Sequence, residues 1–203
     1  VANLIITVIA IALVAVASFM GAYYGGSAYL NDSALANASS VLNDAIQLSA
    51  AWNAYLGDNN DTIPTSLSLL VQPVNTVANG GYLQSIPIDP PEPGGVGAFP
   101  VFVASDATGS TYYAYFDLGR VASGKTAGIN DTNASACIRI QKTALGKQPT
   151  VIDTKPQGQI ASTGNSVFGC SILSGSISNG LGGATVPTGD LQTGDYVVEY
   201  KLE

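Results

Sequence analysis

The stretch that most limits what this chain can become is its beginning. From Leu4 to Met20 only Thr7 and Ser18 carry polar side chains, and no charged residue precedes Asp32. About 20 apolar helical residues, at 1.5 Å each, match the roughly 30 Å hydrocarbon core of a bilayer, so residues 1–24 are long enough to span one. The same stretch suits the centre of a bundle of many chains. A secretory signal would need a basic segment ahead of a shorter apolar core, and a small-residue cleavage site after it. No Lys or Arg precedes Arg120, so the expectation is a chain already processed, with its apolar segment at the new N-terminus.

An amphipathic pattern takes over without a gap. Leu30, Ala34, Leu35, Ala38, Val41, Leu42, Ala45, Ile46, Leu48, Trp52, Tyr55 and Leu56 recur at three- and four-residue spacing, with mostly polar residues between them. A stop is expected near Gly57, where GDNND supplies a glycine and turn-forming residues. One helix over 1–56 would be about 84 Å long. Gly21, Gly25 and Gly26 punctuate it, and each costs a helix interior in water about 1 kcal/mol relative to Ala, so loosening is expected there.

The remainder reads as a head for that helix. PTSLSLLV, with Pro64 suited to a first turn, predicts a short helix within 63–74, and the proline-rich run to Pro100 cannot form a central strand. Strands are expected at Phe99–Ala104, Thr111–Leu118, Ala136–Lys142, Ser166–Leu173 and Asp195–Leu202. The predicted fold class is α+β: a long N-terminal helix packed on an antiparallel sheet, divided into a hydrophobic helix over 1–30 and a globular head over 31–203.

Composition narrows the chemistry. Within these residues there is no histidine, which removes His-dependent triads and most zinc sites. A net charge of −7 with 10% charged residues argues against a nucleic-acid track. All the basic residues except Lys201 fall between Arg120 and Lys155, so an acidic face of one copy could meet a basic face of the next; solvated loops are the simpler reading. DNNDT at 58–62 places oxygen-bearing Asp58, Asn60 and Thr62 at alternate positions but lacks the glycine and glutamate of a calcium loop, so it reads as a helix-ending turn. The carboxylate pair Asp89 and Glu92 sits on a proline-rich loop, a poor frame for an acid–base couple. Cys137 and Cys170, in an exported protein, read as one disulfide worth about 4 kcal/mol by the loop-entropy model; the alternative is two buried thiols. Five N-x-[ST] sequons, at Asn31, Asn37, Asn60, Asn130 and Asn133, are possible glycosylation sites.

Taken together, the apolar run from Val1 to Met20, the glycine-punctuated exit, the amphipathic helix to Leu56 and the late cysteine pair resemble a mature type IV pilin. AIQLSAAWNAYLGDN, GGYLQSIP and ACIRIQK are similar to the larger, type IVb-like subgroup. The resemblance implies a homo-oligomeric helical filament on the cell surface, supporting adhesion, motility, DNA uptake or conjugation. Its core would be packed by Val1, Leu4, Ile5, Val8, Ile9, Ile11, Leu13, Val16, Phe19 and Met20. It implies residence in the cytoplasmic membrane before assembly, a prepilin peptidase and assembly machinery as partners, no cofactor, no catalysis and no nucleic-acid binding by the subunit. One departure stands out: the family usually has glutamate at the fifth mature position, to pair with a neighbour's N-terminal amine, and Ile5 stands here. Asn3 is the nearest polar group. The departure also fits a minor pilin or pseudopilin, or an archaeal-type pilin. A reading from another class is a membrane-anchored monomer whose head binds a partner at the cell surface.

Overall fold

The computed structural model describes residues 2–71, 81–90, 99–106, 108–120, 132–147, 149, 151–161, 166–187 and 190–202, with the side chains of all but 2–5, 21–31, 120 and 132. Helix α1 runs over Ala2–Asp58, 57 residues, or about 85 Å. Its backbone is helical through Gly21, Gly25 and Gly26; the loosening expected there concerns a change of surroundings and belongs with the proposal below. The end of α1 is where the sequence places it. Asp61 N–H bonds to Leu56 C=O at 2.9 Å, with Asn60 in the left-handed region at φ 52, which is the hydrogen-bond pattern of a Schellman cap. Tyr82 donates its hydroxyl to Asp58 Oδ2 at 2.6 Å and ties the helix end to the loop that follows α2, Ser68–Val71.

The head is α+β. Strands β1 (Phe102–Ser105), β2 (Tyr112–Arg120), β3 (Thr154–Lys155), β4 (Phe168–Leu173) and β5 (Asp195–Lys201) form one sheet in the order β1-β2-β5-β4-β3. Three pairings are antiparallel, but β3 lies parallel to β4, so the sheet is mixed rather than antiparallel. Period-2 alternation explains how each strand divides between two cores. Ala114, Phe116, Leu118, Tyr196, Val198 and Leu202 share a cluster with Ala34, Ala38, Val41, Ala45, Leu48, Trp52 and Leu56 of α1. Trp52 and Tyr112 bring their rings to 5.6 Å across that boundary. Tyr113, Tyr115 and Val197 point the other way, into a second cluster closed by Ile160, Ala161, Ile177 and Leu191 from loops. Because both faces are covered, β2 reads as a nearly unbroken apolar run, as buried strands do.

The strand expected at Ala136–Lys142 is a helix, α3, over Thr132–Leu145. Seven residues of ACIRIQK fit an alternating pattern, yet the buried positions Asn133, Ala134, Ala136, Cys137, Ile140 and Gln141 recur at helical spacing. Lys142 in the last turn and Gly146 at φ 70, whose N–H bonds to Lys142 C=O, mark the end of a helix that lies against α1. The bridge Cys137–Cys170 is present, with Cα atoms 5.3 Å apart. It therefore fastens α3 to β4, not strand to strand as expected. Gln141, one turn along, donates its side-chain amide to the Cys170 carbonyl beside the bridge.

Candidate functional site

The two halves of α1 stand in opposite relations to the head. From residue 32 onward Ala34, Ala38, Val41, Ala45, Leu48, Trp52 and Leu56 form one buried stripe, with Leu35 and Ile46 outside it. From 6 to 20 every described side chain is exposed, on all sides of the helix. Ile6, Leu13 and Phe19 are 65%, 65% and 78% exposed, and Val8, Ile9, Ile11, Val14, Val16 and Met20 are all more than half exposed. At 100° per residue these nine positions leave no polar face, so the segment cannot be satisfied by lying on one surface. Each large side chain would gain about 1.5–3 kcal/mol on full burial. Monomeric proteins rarely leave so large an apolar surface uncovered.

The segment carries no polar demand to set against this. Ser18 Oγ donates to Val14 C=O at 2.8 Å, one turn back, and Thr7 is also engaged. With the backbone helical throughout, residues 6–20 are suited to any dry surrounding and to no particular polar partner. Among the described residues no helix is long and apolar enough to cross a membrane. The spanning role expected of 1–24 remains with the proposal.

Of the core-packing residues anticipated from the sequence, Val8, Ile9, Ile11, Leu13, Val16, Phe19 and Met20 lie in this exposed segment. Leu4 and Ile5 belong to the helix, but their side chains, and Val1 altogether, lie outside the described residues. The means of compensating the Val1 amine lies there too. Ile6 and Val14, as exposed as the rest, were absent from that expectation; all-round apolarity, rather than a chosen face, was the signal that includes them. Of the sequons, Asn60 lies in the turn after α1, Asn37 is half-buried within α1, and Asn133 is buried in α3. The Asn31 side chain and all of Asn130 lie outside the described residues.

Two buried carboxylates of the head hold backbone: Asp117 accepts from Gly119 N–H at 2.7 Å at the irregularity within β2, and Glu199, fully buried on β5, accepts from Gly158 N–H at 2.6 Å and Ala161 N–H at 2.7 Å. Burial pushes the Glu199 carboxyl up in pKa, against the lowering effect of those donors. Burial, and then the Glu199 charge, pushes the neighbouring Tyr115 phenol up as well. Gly169 makes this strapping loop possible, since a Cβ there would stand 2.4 Å from Ile160 O. A recess of about 210 Å³ between the segment before α2, β1 and the turn after Leu181 is lined by Leu67, Ile86, Val101, Phe102 and Pro187 among others, with no ionisable side chain. Among the described residues no group of three or more His, Cys, Asp or Glu is placed to hold a metal. Of the described cations, Arg139 and Lys142 lie on α3, Lys147 just after it, Lys155 on β3 and Lys201 on β5, while Asp32, Asp44, Asp58 and Asp61 lie along and just beyond α1. No family model, curated protein or solved structure matches the chain.

Proposed function

We propose that this chain is a structural subunit of an extracellular helical filament of the type IV pilus kind that its N-terminal third resembles. The observation that carries the reading is the contrast within α1: a head whose core is closed by residues 34–56, and an apolar segment over 6–20 left uncovered on every side. A bundle of such helices covers all sides at once, which a single partner surface cannot. Before assembly the same segment would rest in lipid. Lipid and bundle are both dry, so moving between them changes hydrophobic free energy little; assembly then depends on close packing and on work supplied by the assembly machinery. Gly21, Gly25 and Gly26 lie where the uncovered segment meets the head-bound one, the place for the helix to adjust on changing surroundings.

The test is electron microscopy of material sheared from the surface of cells making the protein, with the Leu13→Asp variant alongside. Filaments containing the chain are expected from the wild type. The variant should give none, because a carboxylate in the bundle costs several kcal/mol per subunit. Its head should retain the oxidised Cys137–Cys170 bridge. Surface-exposed protein without filaments would overturn the reading in favour of an anchored monomer.

A further inference from the structure

We propose that Asn60 is an N-glycosylation site of this protein, and that the buried Asn133 and the helical Asn37 are not. An acceptor sequon must enter an enzyme's active site as a locally extended or turned segment, with the asparagine carboxamide and the +2 hydroxyl both within reach. That requirement separates the sequons that the sequence alone leaves equivalent. Asn133 is 8% exposed and engaged in the first turn of α3. Asn37 is half-buried in the body of a 57-residue helix, and presenting it would mean unwinding turns whose Ala34, Ala38 and Val41 are buried in the core.

Asn60-Asp61-Thr62 is differently placed. The helix has ended at Asp58, and Asn60, Asp61 and Thr62 are all exposed. The turn is held from within: Asn59 commits its carboxamide to Tyr55 C=O at 2.8 Å, Asp61 N–H bonds to Leu56 C=O at 2.9 Å, and Thr62 N–H bonds to Asn59 C=O at 3.1 Å. Asn60 takes the left-handed position and turns its side chain to solvent. That backbone position alone favours Gly or Asn, and it accounts for the asparagine without any glycan. It does not account for the threonine two residues later, and the two together make the sequon.

The donor is an oligosaccharide linked to a lipid phosphate or diphosphate. Asn60 Nδ2 bonds to the sugar's anomeric carbon as the bond from that carbon to the phosphate oxygen breaks. The electron pair leaves with the phosphate and the amide gives up one of its two protons; nothing is oxidised or reduced. The site rests on export of the head, which the filament reading also requires.

Peptide mapping by mass spectrometry of the full chain, purified from the cells that make it, tests the assignment. A hexose-containing or related glycan mass is expected on the Asn60 peptide and none on the Asn37 or Asn133 peptides. Thr62→Ala should abolish the increment while leaving helix content unchanged, and Thr62→Ser should keep it. A bare Asn60 in protein whose Cys137–Cys170 bridge is oxidised would overturn the glycan assignment and leave export standing. A bare Asn60 with both cysteines reduced would overturn both. An increment that survives Thr62→Ala, or one on Asn133 in place of Asn60, also rules the assignment out.

Discussion

Among the described residues Glu199 is the carboxylate with no exposed surface at all. A carboxylate with no exposed surface is held by two backbone N–H donors, yet burial still leaves its pKa above the ordinary value of 4.5. The folded state therefore binds this proton more tightly than the unfolded chain does. Its favourable contribution is complete below about pH 4.5 and is lost as pH rises through the raised folded value. Glu199→Gln should flatten that part of the stability curve, read as urea midpoints between pH 4 and 7 in detergent micelles; an unchanged slope would assign it to other carboxylates. The opposing position, Gly169, admits no side chain. Gly169→Ala should cost about 1–3 kcal/mol, because the new Cβ must displace the Ile160 backbone rather than a flexible side chain. The same melts measure it, and a loss under 0.5 kcal/mol would mean the 158–161 loop moves freely.

At the scale of elements, α1 is one helix with two surfaces. Trp52 is fully buried between helix and sheet, so Trp52→Ala should cost the head about 3–5 kcal/mol. Leu35, half exposed on the outer side, should change stability by less than about 0.5 kcal/mol when cut to Ala. Comparable losses for the two would mean α1 sits differently on the sheet. The α3–β4 staple is the second device at this scale. Replacing Cys137 and Cys170 together by Ser should cost about 2–4 kcal/mol, with the Gln141 bond to the Cys170 carbonyl left to hold α3 in place. Thermal unfolding of the double variant, compared with oxidised wild type, measures the covalent contribution.

For the whole molecule, the division is between a head that buries its own apolar surface and a segment that does not. Much of this was legible in the chain: the apolar run to Met20, the stripe from Ala34 to Leu56 and the stop after Gly57 follow from periodicity sustained over many turns, a local property needing no partner. Four of the five expected strands are present, since β-branched and aromatic runs bounded by turn residues carry that signal themselves. The seven residues of ACIRIQK were too short a window to separate the two periods, and α1 and β4 decided for a helix by burying Cys137, Ile140 and Gln141 on one side. Two-residue β3 carries no pattern at all and exists only because β4 offers it an edge, which is why a parallel pairing enters the sheet. The sequence by itself determined the long helix and its uncovered apolar segment. Tertiary structure alone decided that the bridge joins helix to sheet, that Glu199 is buried and that Asn60 is exposed while Asn133 is buried. These depend on residues distant in the chain, whose approach no local period encodes.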